Sequence, residues 1–551
     1  MVSILAHDRP QYATHDVTNQ PPPLTPYDAS DDAALLEGLR REGAQWAEDD
    51  VRRLGRTAGS AEAQEWAEQA NRYEPELRTH DRYGNRIDEV DFHPSWHHLM
   101  RVAVGEGLAG APWADGRPGA HVARIAGALV WGHTDAGHSC PTAMTYAVVP
   151  ALRRQPELAA VYEPLLTGRE YDPGLRVPTE KRGLLAGMGM TEKQGGSDVR
   201  TNTTTATPGA EPGMYTLRGH KWFTSAPMCD LFLVLAQAPD GLTCFLVPRV
   251  LPDGSRNTFR IQRLKDKLGN RSNASSEPEF DGTVAWRVGP EGQGVKTIIE
   301  MVNCTRLDCV MGTAALMRKT LVEAGHHAGH RSAFGARLLD QPLMRNVLAD
   351  LALESEAATT LTLRLAGAAD RGLRGDAGER MFRRIATAVA KYWVTKRGPA
   401  FTAEALECFG GNGYVEESGM PRHYREAPLA SIWEGSGNVN ALDVLRALTR
   451  EPGTADALFA ELAVPQGADT RLDAAVARLK DELRGADQTG ARRLVEHMAL
   501  TLQASLLVRH APAAVADAFC ATRLGGDWGH SFGTLPNTAD LNGILGRALP
   551  A

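Results

Sequence analysis

A chain of 551 residues is too long for one hydrophobic core and is expected to hold two to four domains. Its 43% hydrophobic and 23% charged residues are ordinary for a globular protein, and no run approaches the roughly 18 apolar residues that a membrane span requires. A net charge of −7 gives no global attraction to nucleic acid or to an anionic membrane surface.

Residues 1–30 are polar and proline-rich, with Gln20-Pro21-Pro22-Pro23, and read as an extended arm available to a partner subunit. Residues 31–182 carry a helical period, seen in Leu35, Leu36, Leu39 and Trp46 and again from Trp96 to Val104. The texture changes over 183–290. Short β-branched and aromatic runs such as Leu231-Phe232-Leu233-Val234-Leu235 alternate with turn signals such as Pro239-Asp240-Gly241, which predicts an antiparallel β domain. The helical period returns over 291–450, notably in 345–364 and 380–396. Residues 451–551, which begin near Pro452-Gly453, form an additional helical segment in which Leu472, Val476, Leu479 and Leu483 share one face. Helices, then strands, then helices predict an α+β architecture rather than a βαβ sheet. Seven scattered cysteines without a CxxC pair fit reduced thiols, and Met1–Asp8 is too poor in apolar residues for a signal peptide, so a cytoplasmic location is expected.

Two motifs are decoys. Gly105-Glu106-Gly107-Leu108-Ala109-Gly110 satisfies GxGxxG, but it follows a helical pattern instead of a strand, so it reads as a helix-terminating turn. His326 and His330 have metal-site spacing but no carboxylate or cysteine partner in the pattern, and no metal site is expected.

Three other segments carry chemistry. In Thr191–Asp198 a Gly-Gly pair lets backbone N–H groups approach a ligand, and Thr191 and Ser197 add hydroxyls. Trp222-Phe223-Thr224-Ser225 alternates an aromatic wall with hydroxyls, as a strand lining a flat ring would. Ser431-Ile432-Trp433-Glu434 matches the S-x-x-E capping box, but Gly435, Ser436 and Gly437 weaken a helix start there, and Asn438 or Asn440 is the better N-cap for the stretch to Leu448. A glycine-flanked carboxylate beside Trp433 is instead poised for desolvation and general-base work.

The ordered set resembles the acyl-CoA dehydrogenase superfamily. It comprises Met190-Thr191-Glu192 with Gly196-Ser197-Asp198, Lys221-Trp222-Phe223-Thr224, Arg331-Ser332-Ala333-Phe334-Gly335, Gly410-Gly411-Asn412-Gly413-Tyr414 and Trp433-Glu434-Gly435. It is most similar to the AidB-like branch, through Asn19-Gln20-Pro21, Phe92-His93-Pro94-Ser95-Trp96-His97, the Leu264–Ser275 segment and Ser431–Asn438. The resemblance implies an N-terminal helical domain, a central antiparallel β domain and a C-terminal four-helix bundle, with the extra helical segment typical of that branch. It implies non-covalent FAD. The implied contacts are Met190, Thr191, Gly196, Ser197, Trp222, Phe223, Thr224, Ser225, Trp433, Gly435 and Asn438, with Arg331, Phe334, Gly410 and Gly411 reaching the FAD of a neighbouring subunit. A homotetramer, built as a dimer of dimers, follows. Glu434 is the implied base, removing the α-proton of an acyl-CoA while a hydride passes to the flavin; the final electron acceptor is not named by the sequence. Some family members carry the base one residue before the position of Arg306, and Thr305 cannot fill that role. The branch also implies a second reading, a DNA-binding flavoprotein of the alkylation response with vestigial dehydrogenase activity, using Arg446, Arg492 and Arg493. Charge gives it little support: residues 451–551 hold nine basic against twelve acidic side chains.

Overall fold

A computed structural model describes residues 14–451 and 453–549. Pro452 and the first thirteen residues of the predicted arm lie outside the described residues. The rest of the arm runs along its own chain: Tyr27 N–H donates to Gly59 O, and the Asn19 side chain bridges to both backbone groups of Ser332.

Helices carry the N-terminal region as far as Leu166, but the helical expectation fails over 76–91. There Glu76–His80 and Arg86–Asp91 form a hairpin whose turn is tied by the Asp81 carboxylate, which accepts from Tyr83 N, Asn85 N and Asn85 Nδ2. The hairpin docks on the β region: Arg86 donates to Ile261 O, Asp88 accepts from Ile261 N, and Arg249 donates to Asp88 O. Its strands are short and strongly charged, so the apolar pattern is confined to pairs such as Leu77 opposite Val90.

The eight-stranded sheet is antiparallel in most of its pairings, with one correction. Ala186–Gly189 runs parallel to Leu231–Ala238, and Thr205 pairs in parallel with Gln237. A parallel neighbour requires a long connection, and about 40 residues separate these two strands. The pairings also close a ring through Leu231–Ala238, Thr205–Pro208, Met214–His220, Ser275–Val288 and Gly241–Pro248. Closure covers strand edges that would otherwise be open to other chains. It also explains the unbroken apolar runs, since Leu231–Leu235 and Cys244–Val247 are buried on both faces.

The helical layer contains Gly294–His330, Pro342–Leu373, Ala377–Glu407 and Gly437–Arg450. Pro342–Leu373 and Ala377–Glu407 outrun the predicted stretches 345–364 and 380–396, because small and polar residues beyond those ends, such as Asp370 and Thr402, are buried and dilute the apolar signal. Thr470–Arg484 buries Leu472 and Leu479, as the pattern predicts. Ala491–His510 buries Leu494, Val495, Met498, Leu502 and Leu506 against the long helices, in one continuous core.

Candidate active site

The strand Ala186–Gly189 delivers the chain into the loop that starts at Met190. Two bonds fold this loop back: Asn202 Nδ2 donates to Met190 O (2.8 Å), and Trp222 N–H donates to Thr191 O (2.8 Å). The second of these joins the first two sequence segments directly. Beneath them lies a fully buried ion pair, Lys221 Nζ to Glu192 Oε1 at 2.7 Å. The same carboxylate accepts from Thr203 N, Thr203 Oγ1, Thr204 N and Gln194 Nε2. Burial alone would raise its pKa, but the Lys221 ammonium and these donors hold it well below the usual carboxylate range. Gly196 is required by space: a Cβ there would lie 2.4 Å from Thr191 Oγ1. Gly196 and Ser197 are exposed at the loop tip.

Thr224 and Ser225 form a short strand opposite Ser276 and Ser275. The Phe223 ring is 54% exposed, and Lys265 Nζ stands 3.2 Å from the centroid of the Trp222 ring. Thr224 Oγ1 is buried without a partner, next to the glycine at 189.

The third segment is irregular where it carries Glu434. Glu434 has φ +59° and Gly435 has φ +97°, two successive left-handed residues, and only the second is a glycine. The predicted N-cap is corrected: Ser436 takes the N-cap position of the helix Gly437–Arg450, without a side-chain capping bond, because the left-handed pair turns the chain just before it. Asn438 falls in the first turn, and the Asn440 side chain donates back to Gly435 O (2.6 Å). Thr305 Oγ1 donates to Glu434 Oε2 at 2.6 Å. Arg306 Nε donates to Glu434 O (3.1 Å), and Lys391 Nζ donates to both Trp433 O (2.7 Å) and Gly435 O (2.5 Å). Arg306 is balanced by Asp443 at 2.7 Å. Crowding by protein raises the pKa of the Glu434 carboxyl; the Thr305 hydroxyl, Lys391 and Arg306 oppose the rise and Asp308 adds to it.

Cys140 connects the segments. Its thiol, on the helix Ser139–Leu152, meets the Ser225 hydroxyl and lies within electrostatic reach of Glu434. Burial pushes it up to about 12, so it stays a neutral thiol. Thr191, Trp222, Phe223, Thr224, Ser225 and the Trp433–Gly435 turn therefore gather around one region. Arg331, Phe334, Gly410 and Gly411 do not join them. Arg331 ends the helix that carries Thr305, about 39 Å further along at 1.5 Å per residue. At that end His327 stacks on Phe409 beside Gly410, and Phe334 is 99% exposed. Of the two histidines at metal-site spacing, His326 Nε2 lies 2.8 Å from Pro22 O and His330 Nδ1 lies 2.8 Å from His326 O.

The DNA candidates lie on two helices in contact, Gly437–Arg450 and Ala491–His510. Arg492 Nε donates to Asn438 Oδ1 (2.8 Å), Arg446 lies 3.4 Å from Asp443, and Arg493 is exposed.

Sequence reasoning missed Lys391, the hydroxyl of Thr305 as a donor, and the Glu192–Lys221 pair. Lys391 did leave a signal, as one cation inside the apolar run Ala386–Val394.

Helical layers around a ring-closed sheet are the architecture of the acyl-CoA dehydrogenase fold. The chain belongs to the acyl-CoA dehydrogenase family. Residues 187–283 match the acyl-CoA dehydrogenase middle domain and 292–449 its C-terminal domain, while 19–173 match the adaptive response protein AidB N-terminal domain. The chain is 46% identical to the "Putative acyl-CoA dehydrogenase AidB" of Escherichia coli over 93% of its own length and 95% of that protein's. Among solved structures it resembles Caenorhabditis elegans ACDH-11 in complex with C11-CoA (TM-score 0.83, 27% identity, 93% of each chain). It also resembles the apo form of Bd2924 (TM-score 0.82, 28% identity, 90% of this chain and 99% of that one).

Proposed function

We propose that the protein is an FAD-dependent oxidoreductase acting on acyl-CoA thioesters, with Glu434 as the base. The observation that carries this reading is the Glu434 carboxyl itself, raised by its surroundings and held on Thr305 in the turn that faces the flavin-type loops. The residues fit FAD: Thr224 Oγ1 is buried without a partner, the Phe223 ring is half exposed, and a Cβ at Gly196 would close the loop onto Thr191. Met190, Thr191, Gly196, Ser197, Trp222, Phe223, Thr224, Ser225, Trp433, Gly435 and Asn438 would hold it. When bound, FAD supplies the two-electron acceptor for a hydride leaving the substrate β-carbon. Glu434 takes the α-proton on a carboxylate oxygen, and its raised pKa makes it a stronger base than an exposed glutamate. Lys391 and Arg306 hold the backbone on both sides of that oxygen-bearing side chain.

ACDH-11 was solved with C11-CoA, and this favours an acyl-CoA as the substrate class here. Arg331, Phe334, Gly410 and Gly411 lie too far along the bundle to serve their own site, which supports a homotetramer in which they complete the site of a neighbour. Seven buried, unpaired cysteines support a cytoplasmic location. DNA binding is the weaker reading: Arg492 is engaged at Asn438 and Arg446 neighbours Asp443, which leaves Arg493 as the freest of its three arginines.

The test is an anaerobic titration of the flavin-loaded protein with short, branched and long acyl-CoAs, following the visible flavin absorbance. Bleaching by one class, lost in Glu434→Gln, is expected. A loaded protein that no acyl-CoA bleaches would overturn the reading.

A further inference from the structure

Lys391 is an unusual lysine. It is 1% exposed, it sits in the apolar run of the helix Ala377–Glu407, and no carboxylate pairs with it among the described residues. A buried ammonium without an anionic partner is costly to desolvate, so its acceptors must be well placed. They are the carbonyls of Trp433 and Gly435, the two residues that flank Glu434. Between those two anchors the backbone of Glu434 stands at φ +59°, a conformation a non-glycine residue adopts only when its surroundings fix it.

We propose that Lys391 is the positioning residue of the base: its ammonium clips the carbonyls on either side of Glu434, fixes the left-handed turn, and by its charge keeps the carboxylate ready to accept a proton. The proposal deepens the reading of Glu434 as base and rests on it. Every charged or titratable group around that carboxyl belongs to the balance. Arg306 and Asp308 on the helix Gly294–His330 have opposite effects, since Arg306 favours the charged form and Asp308 opposes it. Cys309 on that helix and Cys140 on Ser139–Leu152 are both pushed up to about 12 by burial and stay neutral. Asp443 on Gly437–Arg450 is paired with Arg306 and Arg384. Among these groups Lys391 is the one cation without a carboxylate of its own, so its charge, unlike that of Arg306, is not shared with a paired carboxylate. Removing that charge raises the proton affinity of Glu434, and the carboxylate form then survives only at higher pH.

The test is an infrared pH titration of the Glu434 carboxyl in the flavin-loaded protein, isolated by subtracting the spectrum of Glu434→Gln. Lys391→Met removes both the clip and the charge, Lys391→Gln keeps a donor without the charge, and Lys391→Arg keeps both. The midpoint is expected to rise by about one pH unit, a roughly tenfold gain in proton affinity, in the Met and Gln variants, and to stay near wild type in the Arg variant. A midpoint that does not move in Lys391→Gln overturns the proposal, and that variant alone decides if Lys391→Met fails to fold. The titration reads Glu434 whether or not any acyl-CoA is oxidised. Failure of the dehydrogenase reading would therefore appear in the thioester titration, and failure of the present proposal in the carboxyl midpoint.

Discussion

Glu434 burdens the fold it serves. Its pKa in the folded protein lies above the ordinary glutamate value of 4.5, so between those two values the folded state holds more protons than the unfolded chain. Stability therefore falls as pH rises through that window, and the full penalty remains above it. Glu434→Gln removes the penalty. The variant should melt at a higher temperature than wild type at pH 8, and the difference should vanish near pH 4, below the unfolded value. An equal gap at both pH values would show that Glu434 is not a strained carboxylate. Gly196 gives a second prediction. Its φ lies outside the left-handed region, so the objection to a side chain there is the 2.4 Å approach of a Cβ to Thr191 Oγ1. Gly196→Ala should keep the thermal unfolding of wild type and lose most of its flavin, read as the ratio of visible to ultraviolet absorbance.

At the scale of elements, the loop after the strand Ala186–Gly189 and the residue that follows the strand Met214–His220 are joined by the Glu192–Lys221 pair. Removing one partner of such a buried pair leaves an uncompensated charge, a loss of about 3–5 kcal/mol. Lys221→Met should lower the unfolding free energy obtained from denaturant melts by that amount, and adding Glu192→Gln should recover part of the loss. A double-variant loss equal to the sum of the two single-variant losses would mean that the pair is not coupled. How far elements are legible in the sequence depends on what they pack against. Leu472 and Leu479 announce their helix because one face is buried and the other is wet. The hairpin Glu76–Asp91 escapes because its strands are held by the Arg86 and Asp88 side chains at Ile261 and by Arg249, which donates to Asp88 O, contacts with no local signature. The parallel pairing of Ala186–Gly189 escapes for a related reason: four residues carry strand propensity but not the direction of their neighbour. In the site, Thr191, Trp222 and Glu434 are legible because glycines and aromatics mark their loops. Lys391 and Thr305 lie in helix interiors, and their partners are fixed only when the helices pack.

At the scale of the molecule, one end of the bundle presents apolar side chains to solvent. Phe334 is 99% exposed at a two-residue hairpin turn, and Tyr414 is 83% exposed after the Gly410–Gly413 turn. Exposed apolar side chains of this size suit a protein contact, and the partner proposed above is a neighbouring subunit. Phe334→Asp should reduce the particle mass measured by light scattering and weaken flavin retention at a site on another chain; a mass equal to that of wild type would remove this end from the interface.

The residues after 453 are fastened to the rest from within. Arg523 lies between Asp350 and Glu354 with 1% of its side chain exposed, and Trp528 Nε1 and Gly533 N donate to the same Asp350 carboxylate. A chain cut near residue 450 would leave Asp350 and Glu354 buried without that cation and would strip the cover from the long helices. The last hundred residues are thus not an appendage that evolution or a protease could remove cheaply. They share one hydrophobic core with the bundle, so the two are expected to melt together, and a ligand that grips their outer face should act on the unit that holds Glu434 in its turn.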